Sequence, residues 1–200
     1  MSGPESVLQF WFGELDQQGR ASPEKKAMWF DGKRADPLIK AQFADTVIAA
    51  LGGELDGWAA SPRGRLALII LLDQFTRNLY RGQPAAFGGD AAARHLVRAG
   101  LVVEDDKALP IVMRGFFYLP LEHSENLADQ EQCVALMIAM LEQAPPALVA
   151  HCEDSLHWAR DHRDLIARFG RFPHRNEALG RPATPAEIAW LAGGGKRYGQ

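Results

Sequence analysis

The stretch "LALIILLDQFTRNL", residues 66–79, decides the class of the fold. Its opening run, Leu66 to Leu72, has no polar residue. Such a run fits a strand buried on both faces as well as it fits a buried helix. Length separates the two: Leu68, Leu72, Phe75 and Leu79 recur at helical steps, well past the usual length of a strand. Upstream, Ser61-Pro62 supplies an N-cap followed by proline at the first helical position. The stretch therefore predicts a helix opening at Pro62.

The same signals recur on both sides. Asp36-Pro37 reads as another N-cap with proline, Phe43, Val47 and Leu51 follow at steps of four, and Gly52-Gly53 ends the run. Shorter helices are expected over residues 4–12 and 23–29. Downstream, residues 90–99 form a helix closed by Gly100, Pro110 opens one leading to Pro120, and further helices cover about 125–142 and 146–169. Gly170 sits where a left-handed C-terminal cap belongs. "TPAE" at 184–187 is a capping box that starts a last helix. No segment alternates at period two between turn signals, so no sheet is expected. The expectation is all-α: about seven to nine helices in antiparallel hairpins, one domain over residues 1–192, and a flexible tail, "GGGKRYGQ", over 193–200.

Composition narrows the function classes. The chain has 200 residues, 47% hydrophobic and 24% charged, with 22 Lys plus Arg against 25 Asp plus Glu. A net charge of -3 gives no global field for nucleic acid or an anionic membrane, so neither is expected as a partner. Cys133 and Cys152 lie in apolar runs and read as buried thiols of a reducing compartment, which places the protein in the cytoplasm. No run approaches the roughly 18 apolar residues of a membrane span.

Polar groups interrupt the apolar pattern in three places: "LDQFTRN" at 72–78, "PLEHSE" at 120–125 and "RFGRFPHRN" at 168–176. In the first, Asp73 and Arg77 share a helix face, as do Gln74 and Asn78. In the second, His123, Ser124 and Glu125 hold the letters of a nucleophilic triad, but helical neighbours diverge by about 100° and cannot act in relay. Neither Glu122 nor Glu125 belongs to a Glu-x-x-His or His-Glu-x-x-His signature, so no metal ligation is expected. Asp154, His157 and Asp161 read as a solvated face. His162 is set among Trp158, Leu165 and Phe169 on an apolar stripe, where it is a core residue unless a carboxylate and a cavity accompany it. From Arg160 to Arg181 six Arg face Asp161, Asp164 and Glu177, a local excess suited to an anion.

In this order the three stretches resemble a bacterial family known as domain of unknown function 924. The resemblance extends from "LQFWFG" through Trp29-Phe30, "LDQFTRN", "LPLEHSE" and "HRDLIARFGRFPHRNEALGR" to "TPAEIAWL". It implies an all-helical fold similar to tetratricopeptide-repeat (TPR-like) superhelices and no settled activity. Thr76 stands where the family commonly carries proline.

Three functional readings follow from the residues. In the first, Arg77, Arg171 and Arg175 hold a small anion, Asp73, Gln74, Asn78, Glu125 and Asn176 complete its site, and Glu122, His123, His162 or His174 exchanges protons. In the second, a superhelical groove binds a peptide. In the third, the polar groups close on one another and only specify helix crossing. Glu122 and Arg175 are expected to lie close together. No P-loop, dinucleotide fingerprint or nucleophile elbow is present, so no cofactor is expected. Oligomeric state has no signature in the sequence.

Overall fold

The computed structural model describes residues 2–30 and 34–198; the side chain of Phe30, half of the Trp29-Phe30 motif, lies outside the described residues, as do Gly199 and Gln200 of the expected tail. Among the described residues every regular element is helical and none is a strand. The segments are α1 (Pro4–Phe12), α2 (Pro23–Phe30), α3 (Asp36–Leu51), α4 (Pro62–Ile69), α5 (Thr76–Leu79), α6 (Asp90–Val102), α7 (Ile111–Glu122), α8 (Leu127–Glu142), α9 (Val149–Phe169) and α10 (Pro185–Ala192). A π-helical turn, Ile70–Phe75, joins α4 to α5 in one continuous rod. With that rod taken as one, the described residues form nine helices.

The apolar run that decides the class is the centre of the molecule. Leu66 to Leu72 are all at most 3% exposed, and α1, α3, α6 and α7 pack around them. Each buried Leu or Ile contributes roughly 1.5–3 kcal/mol relative to exposure, which is why this segment is the scaffold. Aromatic rings from five sequence regions seal one side: Phe75 meets Phe43 at 5.1 Å and Trp11 at 5.5 Å, while Phe116 meets Phe12 at 5.2 Å and Trp29 at 4.8 Å. On the other side α7, α8 and α9 pack as successive hairpins, with α8 lying along α9, an arrangement consistent with TPR-like stacking.

Capping chemistry sets most boundaries. Ser61 Oγ accepts from Gly64 N–H, Thr184 and Glu187 close their capping box, and Gly170 adopts φ 69°, a left-handed cap that a Cβ would strain. Three expected boundaries shift. Asp36 is the first helical residue of α3 and not its cap, because its carboxylate accepts from Asn78 and Arg81. Gly100 does not stop α6; a Cβ there would sit 2.6 Å from both Phe117 Cζ and Arg65 Cδ, so glycine serves close helix packing. Helix α8 starts at Leu127, capped by Asn126, which leaves Glu125 outside the helix.

Candidate functional site

The π turn begins the site. Thr76 N–H bonds to Leu71 O, five residues back, and the displaced carbonyl of Leu72 accepts instead from Thr76 Oγ1 at 2.8 Å. The next carbonyl, Asp73 O, accepts from the Arg77 guanidinium at 2.6 Å. Such one-turn widenings recur at functional sites because they aim side chains where a regular helix cannot. Here the turn aims Asp73, fully buried, toward the end of α7.

Asp73 then carries three contacts. Arg77 NH1 lies 3.1 Å from Asp73 Oδ1, confirming the face expected from their spacing, and Gln74 Nε2 donates to Asp73 Oδ2 at 2.5 Å. His123 Nδ1 lies 2.8 and 3.0 Å from the two carboxylate oxygens. Since a carboxylate only accepts, Nδ1 carries the proton and Nε2 the lone pair. Burial alone would raise the Asp73 carboxyl, but the Arg77 and His123 charges outweigh it and hold the group well below the usual range.

His123 is the C-cap of α7, placed where Gln130 Nε2 ties down the Glu122 and Ser124 carbonyls. Glu122 turns its carboxylate to α9: Oε1 lies 3.3 Å from His162 Nδ1, which also meets the Trp158 carbonyl at 2.9 Å. Burial, followed by the negative fields of Asp73 and Asp161, pushes the Glu122 carboxyl up to about 8. Burial, followed by the charge of His123, pushes His162 down to about 3, and burial likewise lowers His123. Burial thus favours the neutral forms of Glu122, His123 and His162 alike. Ligating atoms of Glu122, His123 and His162 all lie within 4.8 Å of one another, a set that could hold a metal.

The "FPHRN" loop divides into two parts. Glu125, freed from α8, accepts from Phe172 N–H at 2.8 Å and from Arg181 at 2.6 and 2.9 Å. Arg171 donates to both oxygens of Glu187, and Asn176 adds a bond to the same carboxylate. Glu125, Arg171 and Asn176 thus staple the loop and stand apart from the Asp73 cluster. Phe172, fully buried, anchors it against His162 at 5.6 Å. Arg175 points the other way: its guanidinium lies between the rings of Phe87, at 4.8 Å, and Phe172, at 4.3 Å. Its carboxylate partner is Asp90 at 3.6 Å, and its Nε is buried without a hydrogen bond. Burial, followed by the charge of Arg77, lowers Arg175 to about 10.

The expected proximity of Glu122 and Arg175 as partners is not realised, since Glu122 pairs with His162 and Arg175 with Asp90. Acids distant in sequence meet part of the local arginine excess: Glu125 pairs with Arg181 and Glu187 with Arg171, while Arg175 shares Asp90 with Arg77. His174 stacks between Phe172 and Tyr198 with Nδ1 buried and unpartnered, and burial lowers it to about 3. Asn78 faces elsewhere, lining a shallow hollow of about 310 Å³ with Asp36 and Lys40. Asp90, Phe87 and Tyr198 were not singled out by sequence. Asp90 is hidden as an ordinary first-turn acid, and Tyr198, whose ring lies 4.1 Å from His162, falls in the segment expected to be a free tail.

The staple gives a pH prediction. Arg171, followed by Thr184, holds the Glu187 carboxyl down to about 2, against 4.5 ordinarily. A depressed carboxylate stabilises the fold above its unfolded pKa, and that contribution is lost as pH falls toward the folded value. Acidification from about 4.5 to about 2 is expected to loosen α10 and the loop before the core, read by Trp190 fluorescence. In Glu187→Gln that acid step should be missing.

A family model described as a bacterial protein of unknown function (DUF924) matches residues 7–195. Among solved structures, a protein of unknown function from Agrobacterium tumefaciens is 35% identical, with 94% of this chain and 96% of that chain covered and a TM-score of 0.77. No curated protein matches the chain. No helix among the described residues is long and apolar enough to cross a membrane.

Proposed function

The chain belongs to that family, and from this premise we propose that the cluster at the end of α7 binds a small anionic molecule, a carboxylate or phosphate, and exchanges a proton with it. The observation that carries the reading is Arg175. Arg171 and Arg181 sit in short bidentate pairs with Glu187 and Glu125, whereas Arg175 is buried with one long ion pair and an unpartnered Nε. A buried guanidinium so little compensated costs several kcal/mol, which an anion would offset. Planar donors suit carboxylate and phosphate oxygens in particular.

Beside it stands the proton-exchanging group. His123, fixed through Nδ1 by Asp73, keeps Nε2 free of protein hydrogen bonds, and Glu122 and His162 flank it. Orientation of one imidazole nitrogen by a buried carboxylate is the arrangement that makes the other an effective acid or base.

Denaturant melts of the wild type and Arg175→Ala, with and without inorganic phosphate and a panel of small carboxylates, test this. A ligand at 100 times its Kd should stabilise the wild type by about 2.7 kcal/mol, and Arg175→Ala should fold yet show no such gain. Equal gains in both proteins, or none in the wild type, would mean that the polar cluster serves helix crossing alone.

A further inference from the structure

We infer that Glu122, His123 and His162 form a binding site for one divalent transition-metal cation. Two observations carry this. The ligating atoms lie within 4.8 Å of one another, although the residues come from the end of α7 and the middle of α9. A cation bonded to imidazole at about 2.0–2.1 Å and carboxylate at about 2.0–2.2 Å spaces its ligands by roughly 3 to 3.5 Å, so the set has to draw in only slightly to hold one ion.

Both imidazoles are already held as metal-bound histidines are held. His123 Nδ1 donates to the buried carboxylate of Asp73, and His162 Nδ1, 3.3 Å from Glu122 Oε1, donates to the carbonyl of Trp158, which leaves each Nε2 lone pair without a hydrogen bond. That pairing of one nitrogen with a carboxylate or carbonyl fixes tautomer and ring direction for the other, and Asp73 is itself held by Arg77.

Glu122 supplies the one carboxylate of the set. Two imidazoles and one carboxylate favour zinc, iron, cobalt or manganese over magnesium or calcium. Three protein ligands leave coordination positions open, as in catalytic rather than structural sites. An anion could then occupy an open position beside Arg175, and water held there would take over the proton exchange assigned to His123. Only this last step rests on the reading of the cluster as an anion site.

The test is titration of the full chain, stripped with chelator, with Zn2+ by calorimetry and with Co2+ by visible absorption. One equivalent is expected to bind. Zn2+ should shift the ring resonances of His123 and His162 and leave those of His95 and His157 in place. Glu122→Gln and His162→Gln should each weaken binding by at least about 100-fold and Asp73→Asn by about 10- to 100-fold, while His157→Gln on the exposed face of α9 should bind as the wild type does. Far-ultraviolet spectra identify folded variants, and the wild-type resonances decide the matter if any variant fails to fold. Absence of binding, or shifts confined to other histidines, would overturn the inference. Phosphate added with and without Zn2+ separates the two ideas. Zinc binding with no anion response removes the anion reading alone, and an anion response in protein that binds no zinc removes the cation alone.

Discussion

Asp73→Ala should lower stability by about 3–5 kcal/mol, because it strands Arg77 in the interior with only Asp90 to compensate it. The loss differs in kind from that of a core leucine. Asp73 fills little apolar volume, yet its carboxylate forms an ion pair with Arg77 and accepts from Gln74 and His123. Removing both charges should cost less than the two single losses added, since Asp73→Ala/Arg77→Ala leaves neither unpaired. Urea melts of the two single variants and the double variant give the coupling directly. Simple additivity would show that the pair is not the closed unit that its 3.1 Å contact implies.

The second large effect is expected at Phe172. Its ring is fully buried in a small cluster with Leu165 and Ile166, separate from the main core. Phe172→Ala should cost about 3–5 kcal/mol from lost burial and the cavity left behind. The damage should also be local, because the ring supports the faces of His162, His174 and Arg175. Limited proteolysis is expected to cut between residues 170 and 184 in the variant while the α1–α4 core persists. Cleavage spread evenly over the chain would show that the loop and the core unfold as one unit. Any anion response of Arg175 should vanish with the ring that holds it.

The fold was legible wherever local chemistry decides it. Ser61, Gly170 and the Thr184–Glu187 box act at their own helix ends, so neighbouring residues suffice to read them. Asp73 and Arg77 were legible for the same reason, being one turn apart. What escaped reading is set by distance. Arg175 meets Asp90, 85 positions earlier in the chain, and Arg181 meets Glu125 across a separation of 56 residues. A count of charges within one segment therefore overstated the surplus, which in the folded chain narrows to Arg175. Glu122 and His123 were read as proton-exchange candidates but not as metal ligands, for want of a sequence signature; the third ligand, His162, lies on another helix, and both side chains reach it from the turn where α7 ends. The π turn has no compositional mark, since Ile70–Phe75 differs from an α-helix only in which carbonyl each N–H finds.

That turn also fixes how this rod tolerates insertions and deletions. Each residue of an α-helix advances the chain by about 100°, so one residue more in the regular turns of α4 or α5 would swing all that follows by that angle. The wider turn at Ile70–Phe75 takes up an extra residue within itself, so that α4 and α5 stay in line while Arg77 meets Asp90 and Asn78 meets Asp36. Length changes are therefore expected to be borne at 70–75 and not in the helices on either side.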